Sequence, residues 1–248
     1  MKDSLGASLL AAGAKYVHGA MGTVPKSVHS FLHATEFVGE KLAQGGIPAT
    51  SLRHVPLYID RSRFASRSPK ADYLVYAGRL VREKGLATLF QAMRALPDVK
   101  LRLLGDGPMR AELDQLARDM GLRNIEFAGF LDEAEYVAQL GGARALVLPS
   151  ELYETCGLVM WEAMTMGVPV IASRIGGIPE SIVENETGLS FEPGNAQELT
   201  DKIRQVLGDS GAAARMAARG DDLVRAHCES HYERIMGIYD EAIAGAGK

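Results

Sequence analysis

From residue 73 to residue 191, short apolar runs alternate with stretches of helical spacing. That alternation restricts the fold more than any other feature of the chain. Segments 73–76, 99–104, 125–127, 145–148, 168–172 and 188–191 read as strands, and 86–96, 109–120, 132–140 and 157–166 as the helices between them. Parallel strands need a crossover long enough to return the chain to the same edge, and a helix supplies it. The pattern therefore predicts the α/β class, a Rossmann-like parallel sheet with helices on both faces. Three further helices are expected to close the chain, over 196–207, 212–225 and 229–244.

The first part of the chain reads differently. Residues 1–50 are small-residue rich and helical in character, with a polar break near 21–26. A helix is expected over 35–44, stopped by Gly45 and Gly46. Residues 51–59 are extended and carry Pro56, and 61–72 are charged, serine-rich and poor in apolar residues, as a linker would be. The expected organisation is 1–60, a linker at 61–72, an α/β domain over 73–228 and a closing helix over 229–248.

A chain of 248 residues at 47% apolar composition can bury a substantial core. Its net charge of −4 argues against a nucleic-acid partner, which usually selects a basic excess. Cys156 and Cys228 stand far apart and form no disulfide framework, which favours a reducing compartment. The opening residues imitate a poor signal peptide, but glycines interrupt the apolar stretch and Lys15 follows closely. A cytoplasmic location is expected, free or peripheral at the inner membrane face.

In parallel sheets ligands collect beyond the carboxyl ends of the strands. The segments expected there are 78–80, 105–107, 129–131, 149–157 and 173–177, and glycines crowd them. The most informative is 154–162, where Glu154 and Glu162 bracket seven residues and Gly157 can open a helix. Ionised carboxylates accept hydrogen bonds from hydroxyls, while the bare N–H groups of a helix mouth attract phosphate. Glu162 falls five residues beyond Gly157, about 7 Å along a helix axis, so the two acids can address different parts of one extended ligand. Both demands within nine residues suggest a nucleotide-sugar. The bland alternative makes Glu154 a helix-dipole group and Glu162 a surface acid. At the first strand exit, Gly78, Arg79 and Lys84 could place fixed cations on a charged leaving group, or form a solvated basic turn. Arg82 reads as the solvated member of that turn.

Other motifs carry less. The run Gly105-Asp106-Gly107-Pro108 lacks the third glycine of a dinucleotide fingerprint. The turn Gly176-Gly177-Ile178-Pro179 reads as structural, with Pro179 opening a helix. His227 and His231 lie four apart, but no third ligand cluster follows, so an ordinary helix face is expected there and no metal. Cys156, beside a helix start, is expected to be somewhat acidic, without the His and Asp partners of a thiol nucleophile.

Six ordered blocks, at 76–85, 103–108, 127–131, 154–173, 176–180 and 187–194, together resemble the C-terminal half of GT-B glycosyltransferases of the retaining family-4 type. The resemblance spans residues 72–208 and implies roles for individual positions. It gives Arg79 and Lys84 the donor's diphosphate, Glu162 the ribose hydroxyls, and Glu154 the donor sugar. It gives Gly157, Leu158 and Val159 backbone N–H groups for phosphate, and puts the base beside Phe130 and Leu131. It implies transfer with retained anomeric configuration and no bound metal or other cofactor. Residues 31–42 resemble the last strand and helix of the family's acceptor-binding domain, and 47–60 its crossover. Residues 1–60 would then be a helical remnant of that domain, with 231–243 the helix that crosses back to it. The acceptor, a glycan, lipid or small molecule, is not fixed. A donor-binding module without transferase activity is the alternative, and a sugar-nucleotide epimerase a more distant one. Apolar helix faces left uncovered in 1–50 and at the C-terminus predict self-association, or a partner supplying the N-terminal domain.

Overall fold

The computed structural model describes residues 5–22, 27–64 and 69–246. It divides into two compact units, Met1–Val55 with Glu233–Lys248, and Pro56–Tyr232. These divisions fall a few residues from the boundaries expected at 60 and 228.

In the smaller unit, helix α1 (Leu5–Met21) precedes strand β1 (Phe31–His33), helix α2 (Glu36–Gln44) and strand β2 (Leu52–His54). The hydroxyl of Thr35 caps α2 by accepting from the Val38 N–H. The expected glycine stop is present, its left-handed step taken by Gly46 at φ +90°. β1 and β2 pair in parallel, Phe31 opposite Leu52 and His33 opposite His54. Strand pairing here was not anticipated, because three-residue runs give almost no periodic signal.

The larger unit follows the expected alternation: β3 (Tyr73–Ala77), α3 (Leu86–Arg94), β4 (Lys100–Leu104), α4 (Arg110–Asp119), β5 (Ile125–Gly129), α5 (Glu133–Gly142), β6 (Ala145–Leu148), α6 (Leu158–Thr165), β7 (Val170–Ser173), β8 (Leu189–Phe191) and α7 (Ala196–Gly208). Helix α8 (Ser210–Ala246) ends the described chain. Among the described residues the larger sheet has six strands, all pairs parallel, in the order β5-β4-β3-β6-β7-β8. This is the doubly wound order that reverses direction at its centre. The crevice therefore opens between β3 and β6, at the carboxyl ends of the strands.

Burial explains why the strands read as unbroken apolar runs. Every residue of β3, β6 and β7 is buried. Leu74 and Tyr76 of β3 join Leu101, Leu103 and Val147 against α3, α4 and α7. Val75 and Ala77 point the other way and join Leu146, Leu148 and Val170 against α5, α6 and α8. Both faces are covered, so both need apolar side chains. Each fully buried leucine contributes about 2 kcal/mol.

Two expectations need correction. Residues 212–225 and 229–244 belong to one helix of 37 residues, α8, and not to two. Nothing between them stops a helix: Ala226, His227 and Cys228 include neither glycine nor proline. The expected linker is partly built into the larger unit. Arg61–Phe64 forms a 3-10 turn, Phe64 is buried in the core, and Arg61 forms an ion pair with Asp221. Further along, the Ala71 N–H donates to the Gly142 carbonyl. Serine and charge in the sequence masked the single apolar anchor that docks the turn. Residues 65–68 of that stretch lie outside the described residues.

Candidate functional site

A cavity of about 440 Å³ opens at the crevice of the larger sheet. Its wall is assembled from three strand exits and two helices. Gly78 and Arg79 follow Ala77 at the end of β3, Gly105 and Asp106 follow Leu104 at the end of β4, and Phe130 and Leu131 follow β5. Tyr136 comes from α5, and Leu158, Val159 and Glu162 from α6. Glycine is required where the first two exits touch. A Cβ on Gly105, which sits at φ +135°, would come within 2.1 Å of the Gly78 carbonyl oxygen.

Helix α6 shows why its sequence looks apolar all round. Met160, Trp161, Ala163, Met164 and Thr165 are buried, leaving Leu158, Val159 and Glu162 as the open side. Those three positions face the cavity. Gly157 caps the helix in the left-handed region at φ 60°. The first turn of a helix leaves its N–H groups without intrahelical acceptors, so Leu158 and Val159 bring that donor-rich end to the cavity wall.

Glu162 is half-buried and accepts a hydrogen bond from the Tyr136 hydroxyl at Oε2. Burial raises its pKa above the usual glutamate range, although the Tyr136 bond and the Arg63 charge oppose the rise. Burial, reinforced by the charge of Glu162, pushes Tyr136 well above the ordinary tyrosine range. The tyrosine therefore keeps its proton and acts as the donor.

Lys84, Glu154 and Gly157, also expected at the site, are not among the residues lining this cavity. Lys84 Nζ and Glu154 Oε1 form an ion pair, and the Ser150 hydroxyl donates to the same oxygen at 2.8 Å. The Gly176-Gly177 turn supports this acid from behind, with the Gly177 N–H donating to the Glu154 carbonyl at 2.8 Å. The helix expected to open at Pro179 is a single 3-10 turn, Ile178–Ser181. Of the ten expected residues the cavity wall holds Gly78, Arg79, Phe130, Leu131, Leu158, Val159 and Glu162.

Tyr136 was missed. A tyrosine on the inner face of α5, next to buried Val137 and one turn from buried Leu140, must find an acceptor for its hydroxyl, and that was the available signal. Cys156 reverses its expectation, because burial pushes the thiol up and outweighs the Thr155 hydroxyl beside it. His227 and His231 spend their Nδ1 atoms on the carbonyls of Leu223 and Pro56, each at 2.8 Å. No group of three potential metal ligands occurs among the described residues. Nor is any described helix long and apolar enough to cross a membrane.

A second hollow of about 410 Å³ lies at the opposite ends of the strands, floored by alanines of α8. Its Lys70 and Arg144 donate to Gly141 O, Leu207 O and Asp72. The cations there hold the fold together, which leaves the crevice as the better candidate.

Comparison with known proteins identifies the family. The family described as "Glycosyl transferases group 1" matches residues 59–222. The chain is similar to a glycogen synthase of Mycobacterium tuberculosis, 40% identical over 168 residues, covering 64% of this chain and 40% of that protein. It is similar to a GDP-mannose-dependent monoacylated alpha-(1-6)-phosphatidylinositol monomannoside mannosyltransferase of Corynebacterium glutamicum. There the identity is 31% over 222 residues, covering 79% of this chain and 56% of that protein. Among solved structures it resembles Anabaena Alr3699/HepE in complex with UDP and glucose, with a TM-score of 0.76 and 22% identity, over 84% of this chain and 63% of that one. The chain thus spans about half the length of the curated relatives it matches.

Proposed function

Given that this chain belongs to the glycosyl transferases group 1 family, we propose that its crevice binds a nucleotide-sugar donor and that the chain serves sugar transfer with retained anomeric configuration. The observation that carries this reading is one cavity shared by Arg79, Glu162 and the amino end of α6. A guanidinium, a carboxylate and free N–H groups at one wall match diphosphate and ribose diol within a single ligand. The diphosphate lies against Arg79 and the N–H groups of Leu158 and Val159. Glu162 accepts from the ribose hydroxyls, and the base rests at Phe130 and Leu131. Phe130 is 89% exposed, an aromatic face open to stacking.

Lys84 and Glu154 are held to each other as an ion pair. The incoming diphosphate gives the Lys84 ammonium a second anion and frees Glu154 to accept from hydroxyls of the sugar. As the bond to the sugar breaks, negative charge grows on the leaving diphosphate. Cations fixed beforehand stabilise that charge without reorganising. Protein cations fill the role that a metal would otherwise take, so the donor binds without one.

Binding without transfer is the second reading, because every residue of the cavity wall comes from the larger unit. The two separate in one pair of measurements. Isothermal titration with UDP, GDP and ADP is expected to give saturable binding to at least one, unchanged by a chelator. A transfer assay with the matching nucleotide-sugar and glycan, lipid or small-molecule acceptors then shows whether sugar leaves. No binding to any of the three would overturn the donor-site reading, and binding with no transfer would favour the module. Dependence of binding on added divalent metal would refute the metal-free assignment. We propose a cytoplasmic chain that meets copies of itself, or a partner, through the smaller unit.

A further inference from the structure

Among the side chains around the crevice, Tyr136 has no role in the donor-site reading, yet it touches the residue on which that reading most depends. Its hydroxyl bonds to Glu162 Oε2, and its ring stands in the cavity wall. A half-buried carboxylate with one free oxygen can rotate, and it can take up a proton. Either change removes an acceptor that must be ionised and aimed to hold a diol. We infer that Tyr136 is a positioning residue for Glu162, its hydroxyl occupying one carboxylate oxygen so that the other is presented, ionised and fixed in direction, to a hydroxyl of the ligand.

The surroundings of Glu162 leave this task to Tyr136. Arg63, from the 3-10 turn, acts on Glu162 through its charge, but its Nε is given to Glu133 at 2.7 Å. Arg79 and Asp106 stand on the same cavity from the exits of β3 and β4, with opposite charges. Among the described residues, Tyr136 alone donates a hydrogen bond to a Glu162 side-chain oxygen. The bond favours the charged form of the acid, and burial opposes it. Losing the hydroxyl therefore moves the midpoint of Glu162 upward. A hydrogen bond to a charged group is worth a shift of about one to two pH units.

The inference rests on the donor-site reading for the identity of the ligand, but not for the state of the acid. Carboxyl carbon NMR of the whole chain follows Glu162 against pH, its signal assigned by its loss in Glu162→Gln. In Tyr136→Phe, which keeps the ring, the midpoint is expected to rise by about one unit or more. UDP and GDP titrations at two pH values give the second readout. Tyr136→Phe should lose about tenfold in affinity at pH 6 and distinctly less at pH 8, whereas Glu162→Gln should be weak at both. Thermal melts check that the Phe variant is folded. A midpoint in Tyr136→Phe that coincides with the wild type would overturn the inference, as would an affinity loss equal at both pH values. A midpoint raised in Tyr136→Phe, together with a wild type that binds no nucleoside diphosphate, would support the role of Tyr136 and overturn the donor-site reading instead.

Discussion

Glu162 sits in the folded chain with its pKa raised, chiefly by burial. Between the unfolded and the folded midpoints the native state binds more protons, so stability falls as pH rises through that window. Above it the whole cost of the buried charge is present; below the ordinary glutamate range none is. Glu162→Gln is therefore expected to melt above the wild type at neutral pH, with the gap closing on acidification toward pH 4. Melting curves of both proteins across that range check the sign, and a gap that widens in acid would contradict it. Arg79→Ala removes a charge-assisted partner from the cavity and should weaken nucleoside diphosphate binding by about tenfold to a hundredfold. Arg82→Ala, three residues on and outside the cavity wall, should change it little. Titration calorimetry on the two variants separates a built cation from a solvated one.

At the scale of elements, α8 and the Gly176 turn make opposite demands of glycine. Gly237 lies inside α8 with nothing within 4 Å of an added Cβ, whereas a Cβ on Gly220 would come within 2.9 Å of Met164 Cγ. Gly237→Ala should stabilise the chain by about 0.5–1 kcal/mol through backbone entropy. Gly220→Ala should lose that gain to the crowding of Met164, and denaturant midpoints compare the two directly. Gly176 stands at φ +61° with its Cβ position 2.3 Å from the Glu154 carbonyl oxygen. Gly176→Ala should cost about 1–3 kcal/mol and move Glu154 with its turn. Equal stability of that variant and the wild type would show the turn to be adaptable.

For the molecule as a whole, the smaller unit exposes large apolar side chains, Leu10 at 77%, Tyr16 at 79% and Ile243 at 71%. Within the same unit Leu32, Ile235, Ile238, Tyr239 and Ala242 line a hollow of about 260 Å³. Apolar surface of this kind tends to be covered in use. The sedimentation coefficient of the wild type is expected to rise with concentration, and that of Tyr239→Ser with Ile243→Ser to stay lower. A strict monomer at every concentration would remove self-association from the proposal.

The sheet was legible in the sequence because a doubly covered parallel sheet needs apolar residues on both faces of each strand. The runs at 73–76, 145–148 and 168–172 met that need without interruption. The open side of α6 was legible in part, since Glu162 among Trp161, Ala163 and Met164 had to sit at a boundary. Whether α8 broke in two could not be read from a stretch with neither stop signal nor steady periodicity. Two facts belonged to tertiary structure alone: the pairing of Lys84 with Glu154 and the seating of Tyr136 on Glu162. Local sequence fixes which residues form strands, helices and turns, because those depend on neighbours a few positions away. Contacts between residues 70 or 26 apart depend on strand order and crossover, which only the packed sheet decides.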